Sequence, residues 1–74
     1  DPKQDGYRLD WCLHWGVDCG QPAADAWCKV QGFTHATGLT EAVDIGAATP
    51  TMVLGDNAVC TVAACDGFAS ITCQ

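Results

Sequence analysis

Basic residues are scarce in this chain. Lys3, Arg8 and Lys29 stand against nine acids, for a net charge of −6 over 74 residues. Without a Lys or Arg cluster to neutralise phosphates, nucleic acid is not an expected partner. The same deficit argues against an anionic membrane surface. No apolar run approaches the roughly 20 residues that span a bilayer, so membrane insertion is not expected either. Serine occurs once, at Ser70, distant in sequence from both histidines, and no GxSxG turn exists to activate it. Asn57 is followed by Ala58 and Val59, which leaves no N-x-[ST] acceptor for glycosylation. The opening residues DPKQDG contain neither a basic nor an apolar signal region, so any export signal is expected to have been removed.

Cysteine, in contrast, is abundant. Six cysteines, Cys12, Cys19, Cys28, Cys60, Cys65 and Cys73, are separated by gaps of six, eight, thirty-one, four and seven residues. Zinc sites favour paired Cys-x2–4-Cys knuckles, and only Cys60 and Cys65 approach that form. Three disulfides are the expected state, which places the protein in an oxidising compartment, secreted or periplasmic. A chain this short buries only about 60–65% of its unfolded surface, and each bridge can contribute about 2–4 kcal/mol. The bridges therefore rival the whole net stability of a small domain. Six cysteines allow fifteen pairings. The expectation is Cys60–Cys65 across a turn, with Cys12, Cys19, Cys28 and Cys73 tying the first strand and helix to the last strand.

Local patterning predicts a single α+β domain over residues 1–74, an antiparallel sheet of three to four strands carrying one short helix. Residues 1–6 are polar and turn-prone and are expected to be flexible. Tyr7, Leu9, Trp11, Leu13 and Trp15 alternate with Arg8, Asp10, Cys12 and His14, the period of one strand. Pro22 opens a helix predicted over 22–31, with Asp25 near its positive end and Gly32 as a left-handed stop. Ala24, Trp27, Cys28 and Gln31 share its inward stripe. Residues 33–51 carry only a weak apolar pattern, Phe33, Ala36, Leu39 and Val43, and predict turns with one short strand. TMVL at 51–54 and AVC at 58–60 flank Gly55-Asp56-Asn57 as a hairpin. After Asp66-Gly67, FASITC at 68–73 closes the sheet, with Ala69, Ile71 and Cys73 on one side.

Three segments, RLDWCLHW, CGQPAADAWC and CDGFASITC, together resemble a pattern of small secreted cysteine-rich domains found in plants and some bacteria. The resemblance spans nearly the whole chain. It implies export and disulfides, and it carries over no catalytic residue.

The chemistry-bearing residues are few. Six aromatics exceed what so small a core holds, each burying about 150–250 Å² when enclosed. Trp11 and Trp27 are expected to pack strand against helix, while Trp15 with Tyr7 or Phe68 is expected to form an exposed platform. Flat aromatic faces suit the apolar C–H face of a sugar ring, and Asp10, Asp18, Gln21 and Asn57 are placed to take its hydroxyls. An acidic, aromatic, secreted module fits a neutral glycan better than a charged polymer. His14 and His35 show no metal-binding spacing. Glu41 and Asp44, three apart, meet the minimum equipment of glycoside hydrolysis, yet such pairs occur in almost every acidic protein. No catalytic residue, cofactor or metal is therefore assigned.

The expected function is non-catalytic binding outside the cell by a monomer. The first-choice ligand is a carbohydrate, held by Trp15, Tyr7 and Trp11 with Asp10 and Asp18. The alternative is a disulfide-stabilised inhibitor or defence protein that grips a protein target through the 33–51 loop, as small rigid frameworks often do.

Overall fold

The computed structural model describes residues 3–4, 6–46, 48–62 and 64–74. Among these, eight short strands and one helix follow in the order β1 (Lys3–Gln4), β2 (Tyr7–Leu9), β3 (Cys12–His14), β4 (Val17–Cys19), α1 (Gln21–Val30), β5 (Ala36–Ala42), β6 (Thr51–Val53), β7 (Ala58–Cys60) and β8 (Gly67–Cys73). This is a small disulfide-rich α+β fold. All six cysteines are bridged, as Cys12–Cys19, Cys28–Cys73 and Cys60–Cys65. The Cys60–Cys65 pairing and the link from helix to last strand match expectation. Cys12 and Cys19 instead close their own hairpin, because the chain reverses between them and sets them opposite each other in the β3–β4 register.

The strands form three sheets: β1-β2-β6-β7, β3-β4 and β5-β8. One pairing departs from the expected antiparallel sheet, since β2 runs parallel to β6, with Arg8 beside Thr51 and Leu9 beside Met52. The predicted continuous strand from Tyr7 to Trp15 is broken at Asp10-Trp11. Asp10 bridges to Gly67 and its own carboxylate accepts the N–H of Cys12 at 2.9 Å. Such a local side-chain bond is how aspartate turns a chain. A Cβ at Gly67 would lie 2.8 Å from Ile45 Cδ1 and 3.0 Å from the Leu9 carbonyl, so a larger residue would make its neighbours shift.

Near the N-terminus, Lys3 and Gln4 pair with Arg8 and Tyr7, and the Trp27 indole N–H donates to the Lys3 carbonyl at 3.1 Å. Residues 1, 2 and 5 of that segment lie outside the described residues.

The helix falls one residue earlier than predicted, from the Gly20 cap, and Gly32 with φ 93° follows it. Ala23, Ala24 and Cys28 are its buried residues, while Gln31 lies beyond its end and is exposed. Asp25 sits past the first turn rather than at the positive end. Its carboxylate accepts the Gln21 amide at 2.7 Å and the main-chain N–H of Ala36 at 2.8 Å, which pins the start of β5 to the helix. These two bonds, the Ala36 one foremost, hold the Asp25 pKa below its ordinary value.

The core is built from Leu9, Ala23, Ala24, Cys28, Ala36 and Phe68, with Trp11, Leu13, Trp27, Leu39 and Ile71 packed around it. A smaller cluster of Val53, Cys60 and Cys65 lies under the β6–β7 hairpin. Residues 36–42, predicted as mostly turn, form a seven-residue strand along β8. Half-buried Leu39 faces Ile71 in that register. The two bulges of this pairing explain why no clean alternation marks the segment.

Candidate functional site

Trp15 is placed by a tight turn. His14 pairs with Val17, so Trp15 and Gly16 are the two-residue tip of the β3–β4 hairpin, and Gly16 takes φ 72°, a value that favours glycine. The Cys12–Cys19 bridge ties the base of this hairpin. Its tip is held from the side by the β6–β7 turn: Asp56 accepts the Trp15 N–H at 2.8 Å and the His14 ring at 2.9 Å. Carboxylates accept only, so Nδ1 of His14 carries the proton. The His14 bond first, and then the Trp15 N–H, keeps the Asp56 pKa below the usual carboxylate value. The Gly55 N–H adds a 2.7 Å bond to the Leu13 carbonyl. Trp15 is left 58% exposed on this braced tip.

Beside the tip lies an open groove of about 250 Å³ lined by Asp10, Trp11, Trp15, Gly16, Ala64 and Asp66, together with Cys12, Cys60 and Cys65. It lies between the first hairpin and the loop closed by Cys60–Cys65. Trp11 is half-buried, with its ring against Phe68 at a centroid distance of 4.7 Å and a tilt of 41°. It thus serves the core, as expected, and also walls the groove.

Three of the five residues expected to bind ligand, Trp15, Trp11 and Asp10, meet at this groove, whereas Tyr7 and Asp18 do not line it. Tyr7 is 39% exposed on β2, and Asp18 is exposed on β4 with φ 56°. Asp10 is committed inward. It is 7% exposed, with Oδ1 accepting the buried Thr51 hydroxyl at 2.5 Å and Oδ2 accepting the Cys12 N–H. Its role is structural first, because a buried carboxylate is stable only when its acceptors are filled. Phe68 is fully buried and cannot join an exposed platform. Gln21 is engaged by Asp25 and the Ala36 carbonyl.

Asp66 and Asp56 were not singled out by sequence reasoning, since a lone aspartate in a turn looks like any other turn aspartate. Asp66 accepts the Asp44 N–H at 2.8 Å. Glu41 is held above its ordinary pKa by desolvation, by a hydrogen bond with Asp66 and by the charges of Asp66 and Asp44. Glu41 is therefore partnered mainly with a residue 25 positions away in number, not with Asp44 alone. The Ser70 hydroxyl bonds Thr40 at 2.6 Å. Among the described residues, no group of three His, Cys, Asp or Glu side chains is arranged to hold a metal ion. No helix among them is long and apolar enough to cross a membrane. No protein-family model, curated protein or solved structure matches this chain.

Proposed function

We propose that this chain is a non-catalytic binding module of the extracellular or periplasmic space that recognises a carbohydrate at the groove beside Trp15. The observation that carries this reading is Trp15, 58% exposed on a turn braced by a disulfide and by Asp56, at the edge of a groove walled by a second tryptophan. A braced turn loses less main-chain freedom when a ligand binds, so stacking a ligand on the indole it carries is favoured. The groove is smaller than the roughly 300–1,000 Å³ of drug-sized pockets, a scale that suits a single ring laid against an aromatic face. Three disulfides fit the oxidising surroundings in which secreted modules work. Ser70 is bonded to Thr40 rather than to either histidine, which gives no support to a serine nucleophile.

Intrinsic tryptophan fluorescence titrated with a panel of soluble oligosaccharides tests this. A saturable shift is expected, and Trp15→Ala abolishes it while leaving the unfolding temperature nearly unchanged, as for exposed side chains in general. A flat response across the panel refutes the reading. Recognition of a protein target through residues 33–51 has weaker support, because Ala36–Ala42 is strand and the N–H groups of Ile45 and Gly46 are bound to the Cys65 carbonyl.

A further inference from the structure

The groove beside Trp15 sets an exposed tryptophan and the Asp66 carboxylate along one small opening. Among the described residues its charged lining side chains, Asp66 and the inward-bonded Asp10, are acidic, and no Lys, Arg, His, Asn or Gln lines it. Ionised carboxylates offer acceptors and no donors. The faces of Trp11 and Trp15 add the negative potential of their π-systems. Among the described lining residues, the indole N–H groups are the strong side-chain donors. A neutral sugar, whose hydroxyls both donate and accept, would find few side-chain donors there. A cation matches both kinds of surface at once, since an ammonium is attracted to an indole face and donates to a carboxylate.

The surroundings reinforce this. Asp66 lies near Glu41 and Asp44, and their mutual repulsion helps raise the Glu41 pKa after desolvation and the Asp66 hydrogen bond. The net charge of −6 draws cations toward the protein from a distance.

We propose that the groove takes a protonated amino sugar, with its ammonium between the Trp15 indole and the Asp66 carboxylate. The inference rests on the carbohydrate reading above and sharpens it: a glucosamine oligomer is preferred to its N-acetylated or neutral counterpart. Acetylation removes the charge and adds a carbonyl acceptor that the groove has almost no donor to meet.

The experiment is a tryptophan fluorescence titration of the intact oxidised protein with glucosamine, N-acetylglucosamine and glucose oligomers of equal length, at low salt and at a pH where the amine is charged. The glucosamine oligomer is expected to bind about tenfold more tightly, as a partly exposed cation–π contact and an ion pair together allow. The margin should shrink near 1 M salt, where screening acts within about 3 Å. Asp66→Asn should bring the three ligands close to parity. Equal or tighter binding of the acetylated or glucose oligomer overturns the amino-sugar inference and leaves the carbohydrate reading standing. Failure of all three to bind overturns both. A preference that survives Asp66→Asn unchanged places the cation elsewhere on this acidic surface and overturns the site.

Discussion

The carboxylate of Asp56 receives the main-chain N–H of Trp15 at 2.8 Å, across 41 residues of sequence. Its other oxygen takes the ring of His14 at 2.9 Å, so a single side chain on the β6–β7 turn sets the posture of the first hairpin. The exposed indole is therefore positioned by a residue that does not line the groove.

Removing this acceptor should loosen the tip. Asp56→Ala is expected to raise the exchange rate of the Trp15 amide hydrogen by about tenfold or more, as loss of a charge-assisted bond implies, and to weaken ligand binding several-fold. Asp56→Asn keeps one acceptor and should show less of both. Unchanged Trp15 protection in Asp56→Ala would show that the tip is rigid without it.

The same contact predicts an acid limit. The folded-state pKa of Asp56 is depressed, chiefly by His14, so its stabilising contribution is present above the ordinary carboxylate value and is lost as pH falls through the depressed one. Asp25 behaves alike, through Ala36 and Gln21. Thermal unfolding followed from pH 6 downward should show stability falling in that acid range, and Asp56→Asn should flatten the fall.

Glu41 has the opposite sign. Its pKa is raised in the fold, by desolvation first and by Asp66 and Asp44 next, so the folded state is penalised once pH climbs above the ordinary glutamate value. Glu41→Gln should raise the unfolding temperature modestly at neutral pH, screening by water keeping the gain small. It should bring no gain where the carboxyls are already protonated. A loss of stability at neutral pH would contradict this sign.

Asp10 makes a sharper case. Asp10→Ala leaves the fully buried Thr51 hydroxyl and the Cys12 N–H without their acceptor, at a cost of about 2–4 kcal/mol. In so small a fold that is a large share of the total. Urea unfolding measures it, and a wild-type midpoint would mean that water replaces the carboxylate.

The bridges should rank by the loop they close. Cys28–Cys73 spans 45 residues and should contribute about 4 kcal/mol, against about 2 kcal/mol for Cys60–Cys65, which spans five. Denaturant titrations of the two double Cys→Ala variants compare them directly. Equal losses would shift the explanation from chain entropy to contacts in the folded state.

Features that depend on near neighbours were legible in the sequence: the helix between Gly20 and Gly32, the hairpin around Gly55, the last strand after Gly67 and the Cys60–Cys65 bridge. Each is specified by backbone preferences or chain reversal within a few residues. The exposed state of Trp15 was also anticipated, because six aromatics outnumber the places in so small a core.

Tertiary structure decided the rest. Alternation states which way a side chain points along a strand, but not which segment will lie against it. Only the parallel meeting of β2 with β6 turned Asp10 from a solvent-facing candidate into the buried partner of Thr51. Long-range packing likewise brought Asp56 to Trp15, set Asp66 beside Trp11 in one groove and enclosed Phe68 completely. Those contacts come from burying apolar area between distant segments, a driving force without direction that leaves no local mark on the chain.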